Sequence, residues 1–172
     1  MFLRAMARYK DVFLTFSRGT AKSFTDQLWN ICECILYPNT KLAIVATSKN
    51  QSGAIVEAKI SEILNFLPIL NFEIKKIEKV KDQFTVIFKN GSTLSNLAAK
   101  ASSRGLRFTG ITIEEVIESN PDVLQEVVLP TLAIQRRAAN GEFDTEEVIA
   151  QQKICVTTAG LVELWFSSII KI

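Results

Sequence analysis

The 172-residue chain contains no histidine. That absence removes a Ser-His or Cys-His nucleophilic pair, a histidine-ligated zinc site and any imidazole general base, so chemistry carried here must run on carboxylates, lysine, arginine and hydroxyls. Cysteine is scarce: three thiols, odd in number and without framework spacing, point to buried or half-buried free thiols in a reducing compartment. Cys32 and Cys34 fall on different faces of a predicted helix, and Cys155 falls in a predicted strand. No apolar stretch approaches the roughly 18 residues a membrane span needs. The leading MFLRAMARYKD is broken by Arg4, Arg8 and Lys10 and lacks the apolar core and small-residue cleavage site of a secretory signal. A cytosolic protein with no membrane partner is expected. Charge of one sign is also missing: the net charge is +2 with both signs mixed, which argues against a strongly basic nucleic-acid wrapper and against an acidic tail.

What is present is apolar and periodic. With 48% hydrophobic residues the chain can bury a substantial core, and one domain is the expectation. Residues 12–16 (VFLTF) read as a strand, and 22–36 (KSFTDQLWNICECIL) as a helix with Phe24, Leu28, Ile31 and Ile35 at helical spacing. Residues 42–47 (LAIVAT) form a near-continuous apolar run of the kind buried on both faces, followed by a helix reaching Leu67. From 72 to 98 the period changes to two, with Asn90-Gly91 as a hairpin turn, predicting an antiparallel meander. A strand at 111–113 ends in Glu114-Glu115. A helix is predicted over 121–140, with Asn120 as N-cap, Pro121 at its first position and Asn140-Gly141 closing it. A last strand spans 153–158 (KICVTT), and a further helix begins at Leu161. Alternating strands and helices predict an α/β fold with a mostly parallel sheet, whose ligands bind beyond the carboxyl ends of the strands.

Four segments after or beside those strand ends carry chemistry. SRGTAKS places Lys22 and Ser23 at a helix start, where backbone N–H groups bind phosphate, a lysine supplies charge and a hydroxyl can ligate magnesium. Phe16 and Ala21 stand where a phosphate-binding loop has glycine; Ala21 suits the loop only at negative φ, a left-handed backbone costing roughly 1–2 kcal/mol. The same stretch also suits an ordinary strand-to-helix turn. ITIEE offers Glu114 to a metal and Glu115 to an attacking water, or else two acids that merely end a strand. VTTAG brings Thr157 and Thr158 to a third strand end. SSRGLRFTG puts Arg104 and Arg107 before the acidic strand, and Arg18 lies in the loop; guanidinium groups stabilise charge on a transferred phosphoryl group, though each is individually an ordinary surface residue.

On SRGTAKS, SRGLRFTGITIEE, LPTLAIQRR and VTTAG together, the chain resembles the ATPase domain of the large terminase subunit, the motor that drives DNA into tailed-phage and herpesvirus capsids. The resemblance implies a P-loop NTPase of the ASCE/RecA-like kind over residues 1–172, truncated and without the family's RNase H-like nuclease. It implies ATP and Mg²⁺ as ligands. Nucleotide contacts would come from Ser17, Arg18, Gly19, Thr20, Ala21, Lys22, Ser23 and Phe24, with Ser23 and Glu114 on the metal. Glu115 would be the catalytic carboxylate, Arg18 and Arg104 the arginine fingers, and Thr157 with Thr158 the coupling motif. Tyr9 is a candidate for holding adenine. Implied partners are double-stranded DNA, the portal protein, the small terminase subunit and further copies in a ring, at the procapsid in the host cytoplasm. The chain departs from the family where Ala21 replaces Gly and Glu114 replaces Asp. A helicase or recombinase-type ATPase, and a degenerate nucleotide-binding assembly module, are the alternatives.

Overall fold

A strand buried on both faces reads as a near-continuous apolar run, and residues 42–45 of this chain follow that rule. The computed structural model describes residues 2–46, 49–80, 83–98, 103, 105–138, 140–143 and 151–158. In chain order these form α1 (Phe2–Met6), β1 (Asp11–Phe16), α2 (Lys22–Leu36), β2 (Lys41–Ala46), α3 (Lys49–Phe66), β3 (Ile74–Val80), β4 (Gln83–Phe88), β5 (Thr93–Ala98), β6 (Gly110–Glu114), α4 (Pro121–Val123) and β7 (Gln152–Thr158). The strands make one seven-stranded sheet in the order β1-β7-β6-β2-β5-β4-β3. Pairings from β1 through β5 are parallel, and β4 and β3 continue the sheet antiparallel. The meander predicted over 72–98 is therefore an extension of the main sheet, joined through β5 to β2, rather than a separate insert.

Side-chain alternation assigns each strand residue to a face. Leu42 and Ile44 of β2 pack with Ile31 and Cys34 of α2 and with Val56, Ile60 and Ile63 of α3. Their neighbours Ala43 and Val45 turn the other way, toward Ile111, Ile113, Leu124, Val128 and Cys155. On β6 this leaves Ile111 and Ile113 facing the α4 layer, and Thr112 and Glu114 facing α2. A third cluster joins Met6 of α1, Val12, Leu14 and Phe16 of β1, Trp29 of α2, and Ile154 and Val156 of β7. The free cysteines Cys34 and Cys155 are buried and Cys32 is half-buried. Burial pushes the Cys155 thiol up to about 11, leaving it with little thiolate character.

The long helix predicted over 121–140 is much shorter. Asn120 does cap it, its side chain accepting from the N–H groups of Asp122 and Val123. After Val123 the backbone widens into one π turn (Leu124–Val128), tightens into a 3-10 turn (Leu129–Thr131) and stops. Pro130 lacks the N–H that a continuing helix requires. Beyond it the chain runs irregularly past the turn between α2 and β2, with Arg136 buried against the Tyr37 ring at 5.0 Å. Asn39 donates to the carbonyls of Arg137 and Ala138 at 3.1 and 3.2 Å. Asn140-Gly141, expected to end a helix, instead turns a small hairpin closed by the Ala138 N–H to the Glu142 carbonyl at 2.9 Å. The predicted helix after Leu161, with Ala159 and Gly160 of VTTAG, lies outside the described residues. Among the described residues no helix is long and apolar enough to cross a membrane.

Candidate nucleotide-binding site

Parallel pairing brings the carboxyl ends of β1, β7 and β6 to one rim, Phe16 lying opposite Thr158 and Glu114 opposite Val156. The first component is the turn from β1 into α2. Gly19 takes a positive φ of 79°, and the Thr20 hydroxyl donates to the Ser17 carbonyl at 2.7 Å. Ala21 is the N-cap of α2 at φ 55°, ψ 32°, and its carbonyl accepts the Thr25 N–H at 3.0 Å. The backbone is thus left-handed where alanine disfavours it, and the loop holds roughly 1–2 kcal/mol of strain. No side chain caps α2 and no acid sits in its first turn, so its leading N–H groups present the partial positive charge that binds anions.

The strain at Ala21 gives a direct test. Ala21→Gly relieves the left-handed penalty, while the greater freedom of unfolded glycine takes back about 0.4–1 kcal/mol. The expected net result is stabilisation of up to about 1 kcal/mol, read as a raised thermal midpoint. A lowered midpoint contradicts the conformation described.

The acidic end is built by a change of hand. If β6 continued straight, alternation would point Glu115 toward the α4 layer, away from Lys22. Glu115 instead adopts φ 48°, ψ 49°, an uncommon conformation for a non-glycine residue and one that concentrates at functional sites. That turn sends its carboxylate to the α2 side. Lys22 Nζ donates to Glu115 Oε1 and, at 3.1 Å, to the Thr158 hydroxyl. Thr158 donates to the same carboxylate through its hydroxyl, 2.9 Å from Oε1, and through its backbone N–H, 3.1 Å from Oε2. Burial alone would push the Glu115 carboxyl up, but hydrogen bonds from Lys22 and Thr158, with the Lys22 charge, outweigh it and hold the group below the usual carboxylate range.

Glu114 lives in a different environment one residue away. It is buried, and Oε1 accepts from the Gln27 side-chain amide at 2.9 Å. Burial raises its pKa; Gln27, Asp26 and the Lys22 charge offset part of that, and the Glu115 charge adds to it. Two adjacent acids with pKa values pushed in opposite directions suit two jobs, one ionised and accessible, one sequestered.

Together Ser17, Arg18, Gly19, Thr20, Ala21, Lys22, Ser23, Phe24, Glu115 and Thr158 line an open cleft of about 500 Å³, within the range of small-molecule sites. All eight predicted nucleotide-contacting residues border it. Thr157 does not: it is buried on the opposite face of β7, its hydroxyl 3.4 Å from the Thr158 carbonyl. Tyr9 is exposed and lies outside the cleft lining. Arg107 is exposed and bonds the Leu106 carbonyl. Arg104 lies outside the described residues.

The sequence reading missed four residues. Lys59 and Glu62 of α3 border the cleft as an ion pair at 2.6 Å. Asp26 and Gln27 lie buried beneath the loop. A signal for the second pair was present: α2 carries a polar stripe at Asp26, Gln27, Asn30 and Glu33, at helical spacing beside its apolar stripe. All four are buried. Asn30 accepts from the Thr112 hydroxyl at 2.8 Å, which confirms that this stripe faces β6.

A loop after β1, a lysine at the start of α2 and acids at the end of a parallel strand meet at one rim of a mostly parallel α/β sheet. The chain shares this fold with phage large terminase ATPase domains. It superposes on the large terminase of bacteriophage HK97 with a TM-score of 0.67 at 16% identity, over 96% of this chain and 33% of that one. For the large terminase ATPase domain of Thermus phage P74-26 the values are 0.65 and 14%, over 97% and 67%. For the large terminase of a thermophilic bacteriophage they are 0.64 and 9%, over 95% and 37%. That last protein has also been solved with ADP and with ATP-gamma-S, forms that superpose at 0.58 and 0.52. The chain thus spans about a third of the length of the HK97 and thermophilic-phage terminases. No family model and no curated protein sequence matches it.

Proposed function

We propose that this chain is a magnesium-dependent ATP-hydrolysing domain of the terminase type. One observation carries the reading: Lys22 at the start of α2, Glu115 after β6 and Thr158 at the end of β7, far apart in sequence, bond one another at the edge of one cleft. Binding of the triphosphate would draw on the leading N–H groups of α2 and on Lys22. Lys22 is bonded to Glu115, so a phosphate bound at the loop would compete for the ammonium and free the carboxylate. Glu115 then takes a proton from water as its oxygen bonds to the γ-phosphorus, while the bond from that phosphorus to the β–γ bridging oxygen breaks, leaving ADP and phosphate. Thr158, bonded to both partners, is placed to register that exchange along β7.

The residues present fit a magnesium ion by donor type: Ser23 borders the cleft, and Glu114 is buried next to Glu115, which also borders it. Both offer hard oxygen donors, and among the described residues no cluster of three or more acidic, thiol or imidazole groups forms a closed cage. Mg²⁺ in phosphate-transfer sites is held in that way, by one or two carboxylates plus substrate phosphates. When bound it supplies charge stabilisation to the phosphate oxygens.

The wider role we propose is translocation of double-stranded DNA into a viral procapsid, in a ring of copies with a portal protein and a small terminase subunit, in the host cytoplasm. Likeness of fold to phage large terminase ATPase domains supports it. Arg18, exposed at the cleft, would act as a finger. The test is magnesium-dependent phosphate release from ATP, with and without duplex DNA, alongside binding of a fluorescent ATP analogue. Binding with low basal release is expected of isolated chains, since a finger donated in trans requires assembly. Absence of nucleotide binding overturns the reading.

A further inference from the structure

Asp26 is the least satisfied polar group among the described residues. Its side chain is 1% exposed, and Oδ1 accepts the Gln27 N–H at 2.8 Å. Oδ2 is buried and finds no donor, a state in which few native polar atoms are left. The carboxyl lies within hydrogen-bond reach of that of Glu114; as ions both are acceptors, so only a shared proton or a cation can join them. Packing does not demand an acid here: Asn at the same position would keep its shape and bring a donor.

Position supplies the explanation. Asp26 follows Ser23 by three residues on α2, so the two share a helix face, and that face is the one turned to Glu114. The Glu114 oxygen Oε1 is already bonded by Gln27. Among the described residues Lys22 is the cation that acts on all three of Asp26, Glu114 and Glu115, leaving two negative charges in excess if all are ionised, which a divalent cation matches. Burying paired acids without such a counter-charge is costly.

We propose that Asp26 is a further residue of the divalent-cation site, positioning the ion together with Ser23 and Glu114. This rests on the nucleotide-site reading above. Loss of a residue that orients a metal typically lowers metal affinity by about 10- to 100-fold. Mn²⁺, measured by electron paramagnetic resonance at saturating ATP-gamma-S, should bind Asp26→Asn about 10- to 100-fold more weakly than wild type. Affinity for the same nucleotide in EDTA should be unchanged, which a merely structural defect would not reproduce. Should Asp26→Asn fail to fold, wild-type protein carrying ¹³C-labelled aspartate gives the answer. Saturating Mn²⁺ with nucleotide should broaden the Asp26 carboxyl signal beyond detection while the exposed Asp122 signal survives. Equal Mn²⁺ affinity in wild type and Asp26→Asn, or an Asp26 signal that persists, overturns the assignment of Asp26 alone. Wild type that binds neither nucleotide nor Mn²⁺ overturns the nucleotide site and this inference together.

Discussion

Lys22→Ala is expected to reduce the proposed magnesium-dependent ATP hydrolysis to background and to weaken binding of ATP-gamma-S by about 10- to 100-fold, the loss of a charged hydrogen bond of about 1.5–3 kcal/mol. The site geometry explains why so much hangs on one ammonium. Lys22 is the cation enclosed by the cleft, bonded to Glu115 and Thr158 from β6 and β7, whereas Arg18 is exposed at its edge. A second readout separates this from a general loss of structure. Lys22 supplies part of what holds the Glu115 carboxyl low against its burial, so in Lys22→Ala that carboxyl titrates higher than in wild type. The pair is part-exposed, and surface-type ion pairs contribute about 0–1 kcal/mol, so the fold should survive. Unchanged hydrolysis in Lys22→Ala places the active site elsewhere.

The parts of this site that could be read from the amino-acid order are those written at strand ends. Lys22-Ser23 and Glu114-Glu115 each follow an apolar run, and in a parallel sheet such positions converge without any knowledge of tertiary contacts. Their exact use was not legible. Thr157 and Thr158 look equivalent in VTTAG, yet alternation sends one into the α4 side and the other into the cleft. Glu115 reaches Lys22 only because its backbone turns left-handed, and nothing in ITIEE announces that. The strain at Ala21 could be priced from the sequence, but its presence needed the coordinates. Asp26 and Gln27 escaped because the apolar spacing of Phe24, Leu28, Ile31 and Ile35 is what marks α2 as a helix, and a polar stripe beside it does not tell whether it faces solvent or sheet. The helix over 121–140 failed for a local reason: Pro130 inside an otherwise helical pattern outweighs the favourable cap at Asn120. Asn-Gly at its supposed end carries two meanings, helix stop and hairpin turn, and only the chain's return through Phe143 selects the second.

Glu115→Gln separates binding from turnover. The amide keeps the shape of the side chain and can still meet Thr158, but it cannot accept a proton from water, and removal of a positioned base lowers rate by about 10²- to 10⁴-fold. Binding of ATP-gamma-S is expected to persist and to tighten, because Lys22 no longer has a charged competitor for the phosphates. The pH behaviour carries the sign of the same contacts. The folded-state pKa of Glu115 lies below its unfolded value near 4.5, so its stabilising contribution is complete above that value and is lost as pH falls through the folded pKa. Wild type therefore loses this increment only on the acid side, and Glu115→Gln shows no such increment to lose. The carboxylate is also the form in which the residue acts as a base; with Lys22 drawn to the phosphates part of what holds its pKa low is lost, so hydrolysis is expected to fall on the acid side at a higher pH than that at which Glu115 of the nucleotide-free protein titrates. A Glu115→Gln protein that turns over ATP at the wild-type rate removes Glu115 from the chemistry and leaves its left-handed turn without a catalytic purpose.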